Sequence, residues 1–574
     1  MLLAALAHLA ISTTALGETR YEERLEERVL AALGRRRASD PEGRVIEQVL
    51  IVSEDIVGGG DPYPRLLNAV HITTRESVVR RELLFAEGEP YRAELADETA
   101  RNLRRMPILA LARVVPLESD APGAVDVLVV TKDLWSIRLN SSFNLAGQLL
   151  QYLRLRPTEQ NLLGLDKQLS GDLELRLDSI ALGAEYLDRR LLGSRLYLQT
   201  RGSVVLGRTS HAPEGTVGVF RLGQPFFSLG SESSFEIEAP WRIRPERVFQ
   251  GAAVRELQGA DGTTVPHAFD VRELSLSAWD MHAWPGAFRV EIGGGAGGYT
   301  NLYRPPSGLS PAQEQVLRDQ ALPRSEDAAW VGARLRGFHT TYRVLRDVDT
   351  FALPEDLQIG LLVRAELRLA ASRPAFAEMW SSARYRYLLG DALFTASAAG
   401  SLRGLLGGDG EDLVNRRAAV ELSVVSPWLG IGRLVARGSF HVRAADLDKT
   451  VLFLGGGNGL RGLAPEALQG TRILLMNLEY RTRPVEIATL HVGGVLFWDA
   501  GSAWGTAISP FPQSLAHTVG LGLRALFPQF DVEPIRIDFG FVLEGPSPPP
   551  LERFSASFGQ ITRYRPAMFD TPFE

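Results

Sequence analysis

Leu474–Arg481 (LLMNLEYR) and Leu490–Gly501 (LHVGGVLFWDAG) decide how this chain folds. Their even positions are apolar or small: Leu474, Met476, Leu478, Tyr480, Leu490, Val492, Gly494, Leu496, Trp498 and Ala500. Among the odd positions are Asn477, Glu479, Arg481, His491 and Asp499. A period of two is that of a β-strand, whose successive side chains point to opposite faces. The pattern therefore predicts adjacent strands with an apolar side turned one way and a polar side, carrying Glu479 and Asp499, turned the other.

The same texture extends upstream. Trp135 to Phe143 alternates, and interrupted alternation recurs over Gln168–Leu177, Arg195–Val205, Thr216–Leu222, Ser234–Ile237, Val271–Ala278, Leu357–Leu369, Ala418–Val424 and Leu434–Val442. Stretches rich in Gly, Pro, Asp and Asn separate these runs. No helical stripe of comparable length interrupts them, and no blade-length repeat of a propeller is visible. A soluble β-protein is the alternative to a barrel here.

Composition fits a barrel with opposed faces. The 574 residues are 45% hydrophobic with 56 Gly, and the mean hydropathy is -0.02. After the N-terminus no run reaches the roughly 18 apolar residues of a membrane helix. Alternating lipid-facing and lumen-facing residues average to such neutrality. A net charge of -6 gives no electrostatic reason to expect nucleic acid. Without cysteine there is no disulfide framework or thiolate metal site. Lys132, Lys167 and Lys449 are the only lysines, and no function is attached to that bias.

Residues 1–17 (MLLAALAHLAISTTALG) are apolar, too short for a comfortable span, and end in a small-x-small pattern suited to signal peptidase, although a charged n-region is missing. Residues 18–43 hold an amphipathic helix, Arg20–Arg37, with Tyr21, Leu25, Val29 and Leu33 on one stripe. Residues 44–133 read as a small α/β module. Strand-like Val45–Val52 is followed by the glycines 58–60. A capping box of Thr73 and Glu76 then starts a helix through Val78, Val79 and Leu83. A second helix runs from Arg92 to Arg105, with Leu95, Thr99 and Leu103 on one face. Strands Ile108–Val115 and Val125–Val130 close the unit, and residues 134–574 form the β region.

The candidate functional residues lie near the C-terminus. Gly455 to Leu463 (GGGNGLRGL) is a glycine-rich loop with one arginine, Arg461. An arginine folded into a confined interior needs an anionic partner, because it neither deprotonates nor sits unpaired cheaply. Glu479 and Asp499, on the polar faces of neighbouring strands, are the expected acceptors.

Leu460-Arg461-Gly462-Leu463 and Phe497-Trp498-Asp499-Ala500-Gly501 resemble the loop motif and the F-x-D-x-G strand of the BamA/TamA superfamily of outer-membrane proteins. Leu463 departs from that family's usual aromatic. Asn161–Gly164, Leu191–Ser194 and Gln224–Phe227 are similar to its loop phrases. Phe554, Phe558 and Gly559 resemble a closing strand recognised by assembly machinery. The 44–133 module, with GEPY after its first helix and VDVLVVTKD as its last strand, resembles a polypeptide-transport-associated (POTRA) domain.

That resemblance implies a mainly β fold, with a transmembrane antiparallel barrel of about sixteen strands after one periplasmic POTRA domain. It implies an insertase or polypeptide translocase that assists β-rich chains through a laterally opening barrel. The partners would be unfolded outer-membrane or secreted polypeptides, outer-membrane lipid, and periplasmic or lipoprotein accessory factors. A passive pore or surface-antigen barrel and a two-partner-secretion transporter are the alternatives. The G-x-S-x-G, H-E-x-x-H and P-loop patterns are absent from the sequence. The expectation is thus no enzyme, no cofactor and no metal.

Overall fold

Val127, Leu128, Val129 and Val130 are buried on both sides of one strand, as in the centre of a covered sheet. In the computed structural model this strand, β3 (Ala124–Asp133), lies between β1 (Val45–Glu54), which it pairs in parallel, and β2 (Leu109–Glu118), which it pairs antiparallel. The structure describes residues 19–574 except 56–71, 147–148, 251, 408–411, 457–458, 465–466, 488–489, 506–511, 527–533, 547–552 and 559–574. The expected export segment 1–17, the glycines 58–60 and Gly559 lie outside the described residues.

One face of the sheet packs on α2 (Glu76–Arg80) and α3 (Ala93–Arg104) through Val78, Val79, Leu103 and Val127. The other is covered by α1 (Thr19–Leu33), whose Leu25 and Val29 meet Leu111, Leu117, Leu128 and Val130. The amphipathic stripe therefore packs on the module that follows it. The expected capping box at Thr73 does not form: Arg75 is the N-cap of α2 and makes no side-chain cap bond. Tertiary partners claim this segment instead. Thr74 donates its N–H to Asp133 Oδ2 and its hydroxyl accepts from Asn161 Nδ2 at 2.9 Å. Helix α2 ends at Arg80, before Leu83, which is only partly buried.

Beyond Asp133 the chain runs up and down through one large antiparallel sheet whose order returns on itself, with Phe554–Phe558 beside Ile137–Ala146. Among the described residues twenty-one strands take part. Val485–Ile487 continues Arg472–Thr482 beside the same neighbour, Leu490–Trp504, which leaves twenty staves. The expectation of about sixteen is corrected. Several hairpins turn in two residues, as at 177–178 and 390–391, so a stave with its connection takes only about 21 residues.

Leu357–Leu369 is not one strand either. Gly360, at φ +91, separates a hairpin strand, Pro354–Gln358, from the stave Gly360–Ala371. The alternation is otherwise as expected: Ile137 and Leu139 point out and are exposed, while Ser136 and Arg138 are buried. None of the described helices is long and apolar enough to cross a membrane.

Phe288–Arg304 (FRVEIGGGAGGYTNLYR), which is not among the strands expected from alternation, is a 17-residue stave. Its glycines make room for aromatic rings inside. A Cβ on Gly295 would stand 2.4 Å from the Trp279 ring and one on Gly297 2.6 Å from Trp330. The two indoles lie 5.3 Å apart, with Arg334 over Trp279 at 3.6 Å and Arg368 over Trp330 at 4.4 Å. A ten-residue helix, Pro311–Gln320, stands in the connection that follows. Ser310 and Gln313 form its capping box with Pro311 as the first helical residue, a signal the sequence held.

Candidate functional site

The connection between the staves Gly432–Ala444 and Arg472–Thr482 turns inward instead of away. Leu452–Leu454 pairs with Leu468–Gly470 at its neck. Leu454, Leu460 and Leu463, all fully buried, pack on Ile473 and Leu475 of the inner wall. Arg461 is thus held between two apolar anchors. Leu463, where the resembled motif has an aromatic, fills its place as an aliphatic plug.

Two glycines have steric reasons. Gly462 sits at φ +88, where only glycine is unstrained, and its added Cβ would lie 2.8 Å from Gly540 on the stave Ile535–Glu544 of the same wall. A Cβ on Gly540 would meet Gly462 at 2.7 Å. The loop backbone and the wall touch at this point without side chains.

Arg461 has no exposed surface. Its Nε and Nη2 donate to Asp499 Oδ2 and Oδ1 at 2.8 and 2.7 Å, a bidentate fork. Its Nη1 donates to Glu479 Oε1, and its backbone N–H reaches Asp499 Oδ2 at 3.2 Å. The guanidinium also stacks on the ring of Phe497, 3.6 Å from the centroid. Asn477 holds the carboxylate from the side, its Nδ2 donating to Asp499 Oδ1 at 2.7 Å and to the loop carbonyl of Gly459 at 2.8 Å.

The pair belongs to a larger array. Glu479 also accepts from Arg481 Nε at 2.7 Å, and Asp538 from Arg524 Nη1 at 2.8 Å, with Arg536 Nε 3.3 Å away. Asp538 lies 3.7 Å from Arg461. Four arginines and three carboxylates thus share one buried patch. Removing one member of such an array costs far more than its net contribution, because a partner charge is left uncompensated in a low dielectric.

The expected acceptors Glu479 and Asp499 are therefore brought onto Arg461, and Phe497 of the F-x-D-x-G phrase lies under it. Gly501 lines the same pocket: a Cβ there would approach Leu460 at 3.3 Å. Sequence reading missed Asn477 as a clamp and did not reach Arg524, Arg536 or Asp538. A signal existed, since Asp538-Phe539-Gly540 repeats the D-x-G spacing of Asp499-Ala500-Gly501. The closing strand Phe554–Phe558 stands apart from the array but pairs with the stave that carries it, Asp538 opposite Ser555.

The three upstream loop phrases share one place. All are turns that meet the N-terminal unit. Arg75 N donates to Gly164 O at 3.0 Å and Arg75 Nε to Leu163 O at 3.1 Å. Arg190, preceding Leu191–Ser194, donates through Nε to Glu82 at 2.7 Å. Asn102 Nδ2 donates to Phe227 O at 3.0 Å.

Residues 436–561, which hold every member of the buried array, match the Omp85 superfamily domain. The likeness to the BamA/TamA superfamily drawn from the motifs is therefore borne out over this part of the chain. No curated protein matches the chain by sequence. Among solved structures, BamA from Haemophilus ducreyi lacking POTRA domains 1-3 is 12% identical, with 97% of this chain and 96% of that chain covered and a TM-score of 0.34. CdiB from Acinetobacter baumannii is 13% identical over 90% of this chain and 74% of that chain, TM-score 0.35. CdiB from Escherichia coli is 10% identical over 90% and 76%, TM-score 0.41.

Proposed function

We propose that this chain is an outer-membrane protein insertase or polypeptide translocase, with its N-terminal unit serving as a periplasmic POTRA domain and its twenty staves crossing the membrane. The observation that carries the reading is the Arg461 clasp. An Omp85 domain whose inward loop is tied into a buried charge array spanning four successive staves has an organised interior, unlike a plain pore. Outward-facing Leu274, Leu276, Val331, Leu367 and Leu369 are exposed and apolar, which suits a lipid-facing wall.

The seam supports a lateral exit. In the strand order the last described strand, Phe554–Phe558, stands beside the first stave, Ile137–Ala146. That junction of the first and last described staves is the place where an incoming β-strand can add by backbone hydrogen bonding. The substrates are unfolded β-rich polypeptides, and the work is non-enzymatic: strand exchange needs no bond cleavage and no cofactor. Export of the chain through its first 17 residues belongs to the same reading.

Arg461→Ala, expressed in place of the native chain, is the test. Other β-barrels should fall in the outer membrane while the variant itself still reaches it. Normal levels of those barrels, with the variant or on depletion of the chain, would favour a passive barrel and overturn the insertase reading.

A further inference from the structure

Between the staves Glu326–His339 and Gly360–Ala371 the chain makes an excursion of twenty residues, where several other turns use two. Tyr342–Arg346 and Pro354–Gln358 pair as a hairpin. Its base faces the N-terminal unit. Arg104, at the end of α3, holds Asp356 in a fork of 3.1 and 2.9 Å, and the Arg101 and Arg105 guanidinium groups lie 5.0 and 5.8 Å from the Tyr342 ring centroid.

Its tip faces the inner wall next to the clasp. Arg481 Nη1 donates to Val348 O at 3.1 Å and Arg433 Nη1 to Arg346 O at 3.4 Å. Phe351, 4% exposed, lies against Gly493, where an added Cβ would stand 2.8 Å from its ring. Arg481 is the same residue that grips Glu479 at 2.7 Å, and Glu479 grips Arg461. The void between tip and wall, lined by Asp347, Phe351, Arg433, Arg481 and Arg524, holds only about 10 Å³.

The hairpin is also built stiff. Glu355 accepts backbone N–H bonds from Val348 at 2.8 Å and from Asp349 at 3.1 Å, while Asp347 accepts from Ala352 at 2.7 Å. A tip wound round two buried carboxylates does not absorb a displacement of its base. Motion applied at α3 reaches Arg481 instead of being lost in loop flexibility.

We propose that the Tyr342–Gln358 hairpin couples the N-terminal unit to the Arg461 clasp: docking of α3 through Arg104 and Asp356 seats the tip, and the seated tip holds Arg481 and Glu479 in position to retain the loop. This deepens the reading of the clasp as the working part of the barrel. When a partner or substrate pulls the N-terminal unit from the barrel, the tip withdraws, Arg481 loses its carbonyl acceptor and Arg461 is released. Such coupling is reciprocal by linkage, so freeing Arg461 also loosens the Arg104–Asp356 contact.

The test uses the full-length protein in detergent micelles. The chain has no cysteine, so Leu463→Cys gives it a single thiol at a fully buried position, and the rate of maleimide labelling reports release of the loop. Arg461→Ala in that background sets the rate of a free loop. Asp356→Ala and Arg104→Ala should each raise labelling about fivefold or more, and the double variant no further than either alone. Unchanged labelling in both single variants overturns the proposal. A rise with Phe351→Ala while Arg104→Ala and Asp356→Ala stay at the parent rate overturns it too, because the hairpin would then only fill the lumen. If Leu463→Cys does not fold, amide exchange at Arg461–Leu463 in the otherwise native sequence reads the same release. The readout is independent of insertase activity, so loss of one reading leaves the other standing.

Discussion

The N-terminal unit and the C-terminal wall of the barrel are both tightly buried, yet they are built from opposite chemistry. In the first, Leu103, Val125, Val127 and Val129 have no exposed surface and are surrounded by other aliphatic side chains. In the second, the most enclosed groups include Arg461, Glu479, Asp499 and Asp538. The small unit fills its centre with apolar residues, and a buried carboxylate such as Glu26 is paired with Arg37 and Arg113 at the edge of that core. The barrel's outward face is apolar, and its charges collect inside, where they must satisfy one another. Burial therefore has two meanings in one chain: apolar contact in the unit, complementary charge in the wall.

The largest effect should come from unbalancing the wall. Asp499→Ala removes the fork on Arg461 and should cost about 3–5 kcal/mol, measured by chemical unfolding of the barrel in micelles. The heat-dependent mobility shift on gels should move to lower temperature with it, while the N-terminal unit keeps its amide protection. Loss of protection in both regions together would erase the distinction between them.

Leu103→Ala is the converse experiment. It opens a cavity under α3 and should cost the unit about 2–5 kcal/mol, seen as faster exchange of the β1–β3 amides with an unchanged barrel transition. A drop in the barrel transition as well would mean that the two regions unfold as one.

Smaller effects sharpen the picture. Phe497→Leu keeps an apolar side chain beneath Arg461 but removes the ring, and should lose about 0.5–2 kcal/mol of cation–π attraction, read in the same barrel unfolding. Asp126→Asn should matter least. Burial holds the Asp126 carboxyl above the usual range against the opposing pull of Arg35, with Glu47 and Asp120 adding repulsion. A carboxyl with a raised folded-state pKa binds its proton more tightly when folded, so its contribution is present at low pH and is lost as pH rises through that value. Protection factors of the unit's sheet should fall across that window in the native chain and stay flatter in Asp126→Asn.

Legibility followed the range of the cause. Strand parity is local, so the lumen faces of Glu479 and Asp499 were readable from spacing alone, as were the strand Val45–Glu54 and the stripe of α1. Where distant groups compete, local rules failed. The Thr73 box lost to Asp133 and Asn161. The stave Phe288–Arg304 escaped the alternation pattern because the two tryptophans its glycines accommodate sit on other staves. Asp538 repeated a visible spacing, but its membership in the Arg461 array depends on the barrel bringing 461 and 538 together.

The sequence by itself determined that this chain has a small α/β unit and a long β region with one polar face, and that Arg461 needs carboxylate partners. Period and charge are properties of neighbouring residues, and they persist whatever the global arrangement. Only the tertiary structure decided that twenty staves stand among the described residues, that four of them share one buried charge array, and that a hairpin at 342–358 spans from α3 to that array. Those facts depend on which distant segments meet. Sheet closure fixes such meetings through the sum of all strand registers, a quantity that no local pattern contains.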